Sequence, residues 1–114
     1  DELKYVGTLC VEFFIDKSDN LYVNEIAPRV HNSGHLTINA YNVSQFENHI
    51  RAVCSLKQIP LKKISNAEMI NLIGNQIKPY RQEKLLLKDN QFLFDYLKKE
   101  IKEKRKMGHL TTLK

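Results

Sequence analysis

Two short apolar runs lie near the start of the chain, Leu9-Cys10-Val11-Glu12-Phe13-Phe14-Ile15 and Leu21-Tyr22-Val23-Asn24-Glu25-Ile26, separated by the polar run Asp16-Lys17-Ser18-Asp19-Asn20. β-Branched and aromatic residues on either side of a short polar break predict a β-hairpin. With Asp16 opposite Leu21, Phe14 faces Val23 and Glu12 faces Glu25, so both acids project from one side of the ribbon. Farther on, Ser44-Gln45-Phe46-Glu47 reads as a capping box, with Ser44 as the cap and Glu47 reaching back. Phe46, Ile50, Val53 and Cys54 recur at helical spacing and predict a helix from Gln45 to Ser55 with that stripe in the core. Gln58-Ile59-Pro60-Leu61 stops it. Ala67–Ile73 reads as a buried strand ending at Gly74, Lys78-Pro79 as a turn, and Phe92–Leu97 and Met107–Leu113 as further strands. The pattern predicts an α+β chain, with a hairpin and helix in residues 1–56 and a small, mostly β lobe in residues 57–114.

Composition narrows the class. The chain has 114 residues, 42% hydrophobic and 27% charged, an ordinary globular balance. No apolar run approaches the roughly 20 residues that span a bilayer, which predicts a chain with no membrane partner. The chain starts Asp-Glu-Leu-Lys, without Met or a secretory segment, so it is expected to be a piece of a longer cytoplasmic product. Cys10 and Cys54 are far apart within apolar patterns and are expected to be buried thiols. The net charge of +5 owes much to Lys98, Lys99, Lys102, Lys104, Arg105 and Lys106. That run alternates with Glu100 and Glu103 and lacks an aromatic stacking platform, so it reads as a solvated turn before it reads as a nucleic-acid interface.

The candidate chemistry is concentrated in Asn24-Glu25-Ile26-Ala27-Pro28-Arg29-Val30-His31-Asn32-Ser33-Gly34-His35. A carboxylate, a carboxamide, a guanidinium and two imidazoles follow an apolar strand, with Glu12 on the neighbouring strand. Opposed like charges destabilise a hairpin, and a divalent cation between them removes that penalty. Mg²⁺ favours a few carboxylates together with nucleotide phosphates. The alternative is two solvent-facing acids on an amphipathic hairpin. His31 and His35 are four apart, as in helical zinc motifs, but Pro28 and Gly34 argue for a loop and the four-ligand set of a structural zinc site is missing. No phosphate-cradling Gly-rich loop or nucleophile elbow is present. His49 falls within the predicted helix and reads as structural.

Val11-Glu12-Phe13-Phe14 followed by the run from Asn24 to His35 resembles the ATP-grasp ligases. The closer resemblance is to the family of phosphoribosylaminoimidazole carboxylase ATPase subunits, the 5-(carboxyamino)imidazole ribonucleotide synthetases. It continues through Ser44-Gln45-Phe46-Glu47, Ile50-Arg51-Ala52-Val53-Cys54, Met69-Ile70-Asn71-Leu72-Ile73-Gly74 and Arg105-Lys106-Met107-Gly108-His109, in order over nearly the whole chain. The resemblance implies the C-terminal half of an ATP-grasp fold, an antiparallel sheet plus helix, followed by a small β-rich domain. It implies ATP-dependent carboxylation of 5-aminoimidazole ribonucleotide with bicarbonate, via carboxyphosphate, in purine biosynthesis. Glu12 and Glu25 would hold Mg²⁺ (or Mn²⁺), with Asn24 and Glu25 at the ATP. Arg29 would be catalytic and would grip carboxyphosphate or the ribonucleotide phosphate, since guanidinium binds such oxygens bidentately. His31, Asn32 and Ser33 would complete the substrate loop, and Arg105 and Lys106 would clamp the ribonucleotide phosphate. The partners implied are ATP, bicarbonate, the ribonucleotide, the missing N-terminal part of the same protein and a second copy in a homodimer. Without the ATP-clamping upstream part, the 114 residues are expected to bind nucleotide weakly and turn over little. One departure stands out: the family usually has Pro-Gly ahead of Arg-Lys-Met-Gly-His, where this chain has Glu103-Lys104. The alternatives are another ATP-grasp enzyme, such as formate-dependent glycinamide ribonucleotide transformylase, and a non-catalytic basic module that binds nucleic acid through Lys98–Lys106.

Overall fold

The computed structural model describes residues 3–82 and 85–114. Two compact units divide it, Asp1–Lys62 and Lys63–Lys114.

The first unit opens with the hairpin. β1 (Cys10–Ile15) pairs antiparallel with β2 (Leu21–Ala27). The tip differs from the expected register. Asp16 pairs with Asn20 rather than Leu21: its N–H donates to the Asn20 carbonyl at 3.1 Å, and its carbonyl accepts from the Asp19 N–H at 3.1 Å. Asp19 sits at φ 60°. A turn followed by a left-handed residue closes a three-residue loop, and Asp tolerates that conformation. The Asp16 carboxylate fixes the loop by accepting from the N–H groups of Ser18 and Asn20, at 2.8 and 3.0 Å, and from the Asn20 carboxamide at 3.0 Å. The Asn20 side chain first, and then these backbone donors, hold the Asp16 carboxyl below its usual range. Ile15, Phe14 and Phe13 therefore face Leu21, Tyr22 and Val23. A bulge follows, with Asn24 unpaired, and Glu12 then lies opposite Glu25 as expected.

After β2 come a 3-10 turn at Asn32–Gly34, a single turn α1 (Thr37–Ala40) and the helix α2 (Gln45–Val53). Ser44 caps α2, its hydroxyl accepting from the Glu47 N–H at 3.1 Å. The expected return bond from Glu47 gives way to an ion pair with Arg51 at 2.8 Å, a favourable i,i+4 arrangement. The Phe46–Ile50–Val53 stripe is not core: all three are exposed, and so is Cys54. Cys10 is only half-buried. Among the described residues, the buried positions of this unit are Ala27, Ala40, Val43 and Gln45.

In the second unit, β3 (Ala67–Ile73) and β4 (Gln91–Asp95) flank β5 (Lys106–Leu113) in an antiparallel sheet. The central position explains the burial of Met107 to Thr111 in β5. Leu72, Ile77 and Met107 form the core, with Tyr80, Leu93 and Ile101 against them. Lys78-Pro79, expected as a turn, instead begins α3 (Lys78–Gln82), which follows a 3-10 turn at Gly74–Ile77. Proline is tolerated in a helix's first turn, where its missing N–H costs nothing. Arg81 on α3 grips Asp95 at the end of β4 through two bonds, 2.5 and 2.7 Å, and donates to the Lys98 carbonyl. Arg81 holds the Asp95 carboxyl below the usual carboxylate range.

Candidate functional site

The site grows out of the bulge in β2. Inserting Asn24 into the ladder re-aims the side chains around it, and the Asn24 Nδ2 donates to Glu12 Oε2 at 3.3 Å. Glu12 and Glu25, directly opposed, approach one imidazole from two strands: His31 Nε2 is 3.4 Å from Glu12 Oε1 and 3.4 Å from Glu25 Oε1. The ligating atoms of the three side chains all lie within 4.8 Å of one another. The acids open to solvent, with side chains 37% and 48% exposed, whereas the His31 side chain is 13% exposed.

The ring nitrogens of His31 have different roles. Nδ1 accepts from the Ser33 N–H at 3.4 Å and lies 2.9 Å from the Ser33 hydroxyl. Nε2 is the nitrogen that faces the two carboxylates. His31 thus lies against both acids, and the open oxygens of Glu12 and Glu25 are offered to a cation. Two carboxylates partly open to water match the hard, partly hydrated coordination that Mg²⁺ prefers.

Asn24, Glu12, Glu25, His31 and Ser33 are therefore brought together. The exposed Arg29 lies just before them and rests on its own loop, with Nη1 donating to the Val30 carbonyl at 3.1 Å. Asn32 begins the 3-10 turn, and its carbonyl accepts from the His35 N–H at 3.1 Å. Arg105 and Lys106 belong to the second unit. The Arg105 N–H bonds to the Lys102 carbonyl at 2.9 Å, closing a turn around Glu103-Lys104 without the family's Pro-Gly. The Arg105 carbonyl accepts from the Gly74 N–H at 2.8 Å, and Lys98 Nζ donates to the Lys106 carbonyl at 2.7 Å. Lys98 also sits 5.2 Å over the Tyr96 ring, and Lys102 pairs with Glu100 at 3.3 Å. Part of the basic run is therefore committed to the unit's own structure.

Sequence reasoning missed one residue of the site region. Gln45, at 9% exposure, buries its carboxamide against the loop from His31 to His35. Gln45 lies in the Ser44–Glu47 segment of the resemblance, but a glutamine just after a helix cap does not by itself show what it touches. The fit is close: a Cβ at Gly34 would come within 2.5 Å of Gln45 Oε1.

The chain is similar to known proteins along its whole length. The ATP-grasp domain family matches residues 1–46, and the phosphoribosylaminoimidazole carboxylase C-terminal domain matches residues 67–114. The N5-carboxyaminoimidazole ribonucleotide synthase of Bacillus subtilis is 47% identical over 114 residues, which are 100% of this chain and 30% of that protein. The Staphylococcus aureus N5-carboxyaminoimidazole synthetase complexed with ADP aligns at a TM-score of 0.85 and 42% identity, over 96% of this chain and 30% of that one. The Aspergillus clavatus enzyme in complex with ADP and 5-aminoimidazole ribonucleotide aligns at 0.81 and 34%, over 95% and 30%. The chain spans about 30% of the length of these relatives. The mixed helix and antiparallel-sheet architecture is that of these solved structures, as the resemblance implied. In the order its motifs predict, residues 1–46 thus belong to the ATP-grasp domain family and residues 67–114 to the phosphoribosylaminoimidazole carboxylase C-terminal domain family.

Proposed function

We propose that the protein containing this chain is a cytoplasmic, homodimeric ligase that uses ATP and bicarbonate to carboxylate 5-aminoimidazole ribonucleotide. The observation that carries the reading is the convergence of Glu12, Glu25, Asn24 and His31 at the head of the Arg29–His35 loop. The relatives' complexes with ADP and with the ribonucleotide support it.

In this reading Glu12 and Glu25 hold Mg²⁺, with Asn24 and Glu25 against the nucleotide. The cation, when bound, neutralises charge on the transferring phosphoryl group. The protein's part in such chemistry is positioning and electrostatics. His31 Nε2, 3.4 Å from each acid, and Asn24 Nδ2, on Glu12, keep the pair oriented. Arg29 has to turn from the Val30 carbonyl to bind an anion, and its exposure leaves it free to do so. It then grips carboxyphosphate, a dianionic oxygen cluster that suits its fork. His31, Asn32 and Ser33 face the substrate, and Arg105 and Lys106 take the ribonucleotide phosphate. In this reading the ATP-grasp part ends near Leu56 and the C-terminal lobe begins at 57, six residues before the compact unit that starts at Lys63.

The test is ADP release by the full-length protein with Mg²⁺ and bicarbonate, with and without 5-aminoimidazole ribonucleotide. Release is expected to depend on the ribonucleotide and to fall at least about a hundredfold in Glu25→Gln. Release indifferent to that ribonucleotide but stimulated by glycinamide ribonucleotide and formate would reassign the substrate.

A further inference from the structure

Every polar atom of the Gln45 side chain is spent on the loop that carries the site. Its Oε1 accepts from the His31 N–H at 2.9 Å, and its Nε2 donates to the His31 carbonyl at 2.7 Å. The two bonds grip both polar groups of one residue, as a neighbouring strand would, and they fix the orientation of the amide. Nε2 also lies 2.7 Å from His35 Nδ1. The amide hydrogens point outward, so His35 Nδ1 accepts. The Gln45 backbone is anchored in turn: its N–H donates to Thr37 Oγ1 at 2.9 Å, and its carbonyl accepts from Thr8 Oγ1 at 3.3 Å. Thr37 Oγ1 itself donates to the Gly34 carbonyl at 2.6 Å. Gln45 is the first residue of α2, so these bonds join the helix start to both ends of the 31–35 loop.

A carboxamide this buried is costly unless satisfied, and an apolar residue would fill the space more simply. What the amide adds is a fixed position for the His31 peptide, and through it for the ring whose Nε2 meets Glu12 and Glu25 at 3.4 Å. Gly34 has the same consequence, because any larger residue there would push into the Gln45 amide.

We propose that Gln45 is a positioning residue for this site: by clamping the His31 peptide it sets where the imidazole meets the Glu12–Glu25 pair. The proposal rests on the reading of that pair as the cation site. It predicts that Gln45 acts through His31 and has no effect once His31 is gone.

The experiment uses the full-length protein with Gln45→Glu and Gln45→Met, each alone and combined with His31→Ala. Gln45→Glu keeps the shape and the acceptor but loses the two donor bonds, so it remains informative if Gln45→Met fails to fold. The first readout is kcat for ribonucleotide-dependent ADP release. Each Gln45 variant is expected to lose tenfold to a hundredfold, as residues orienting metal-site groups commonly do, with no further loss in the His31→Ala background. Additive losses overturn the proposal. The second readout is independent of turnover: broadening of the His31 ring signal by Mn²⁺ in a histidine-labelled sample. The broadening is expected to be strong in the unaltered protein and weak in the Gln45 variants. Broadening unchanged by both variants overturns the proposal whatever the activity. Broadening that the variants relieve, in a protein without ribonucleotide-dependent turnover, sinks the reaction and keeps the positioning role.

Discussion

Single residues here act through the chemistry of one or two atoms. Gly34 is the clearest case. Its backbone is not in the left-handed region, so Ala fits conformationally, but the added Cβ would sit 2.5 Å from Gln45 Oε1 and 2.8 Å from its amide carbon. Gly34→Ala is therefore expected to displace the Gln45 clamp, lowering stability by about 1–2 kcal/mol, measured by urea denaturation. An unchanged midpoint would mean that the amide swings aside freely. Gly74 differs. At φ 53° its Cβ would lie 2.5 Å from the Glu103 carbonyl, so Gly74→Ala combines backbone strain with a clash against the turn before Arg105. A loss of about 2 kcal/mol is expected, and a thermal scan giving less than half of that would show that the 102–105 turn yields. The opposition of Glu12 and Glu25 was legible in the sequence, because each is an acid within an apolar strand run of one hairpin. Gln45 was not legible, because its importance lies in what it touches.

At the scale of elements, period and punctuation located the strands β1 to β5 and the helix α2, but not α1 or α3. Ala67–Ile73 ends where Gly74 turns the chain, and α2 begins at the Ser44 cap. Ser44→Ala is expected to cost about 1 kcal/mol, read as a shift in denaturant midpoint. Pairing details were not legible. The loop at Asp16–Asn20 closes on three residues because Asp19 accepts a left-handed conformation and Asp16 has donors to satisfy, and neither fact follows from hydrophobic alternation. The clasp between α3 and β4 likewise needed coordinates. Arg81 keeps Asp95 ionised below the usual carboxylate range. The folded state then binds its proton later than the unfolded chain, so this stabilisation is complete above the ordinary carboxylate pKa of about 4 and is lost as pH falls through the lower folded value. Asp95→Asn is expected to flatten the acid limb of the stability curve while leaving its slope from pH 6 to 8 unchanged. Identical acid limbs in both proteins would deny the clasp any part in acid stability.

Over the whole molecule, the hydrophobic pattern marked apolar positions correctly but not what covers them. Phe13, Phe14, Ile15, Leu21, Tyr22, Val23 and Ile26 are all exposed in the first unit, as are Phe46, Ile50 and Val53 on α2. A sequence shows that a face is apolar, whereas its burial depends on chain that supplies the other half of the contact. Contiguous exposed apolar surface of this kind drives association. The 114-residue chain on its own is expected to bind an apolar fluorescent dye and to sediment as concentration-dependent oligomers, with little ATP turnover. A dye-silent monomer that hydrolyses ATP steadily would overturn both expectations. Among the described residues, no helix is long and apolar enough to cross a membrane.

The unpaired Asn24 has one more consequence, for changes in chain length. With the three-residue tip and no bulge, Asn24 would lie opposite Glu12 and Glu25 opposite Val11, on the other face. The extra residue sets Glu25 opposite Glu12 instead. Deleting Asn24 would straighten the ladder and leave the two acids opposed, without the amide beside them. The ribbon thus holds one residue of slack between its tip and its carboxylates: it can lose a residue there and keep them in phase, whereas gaining one would need a second bulge.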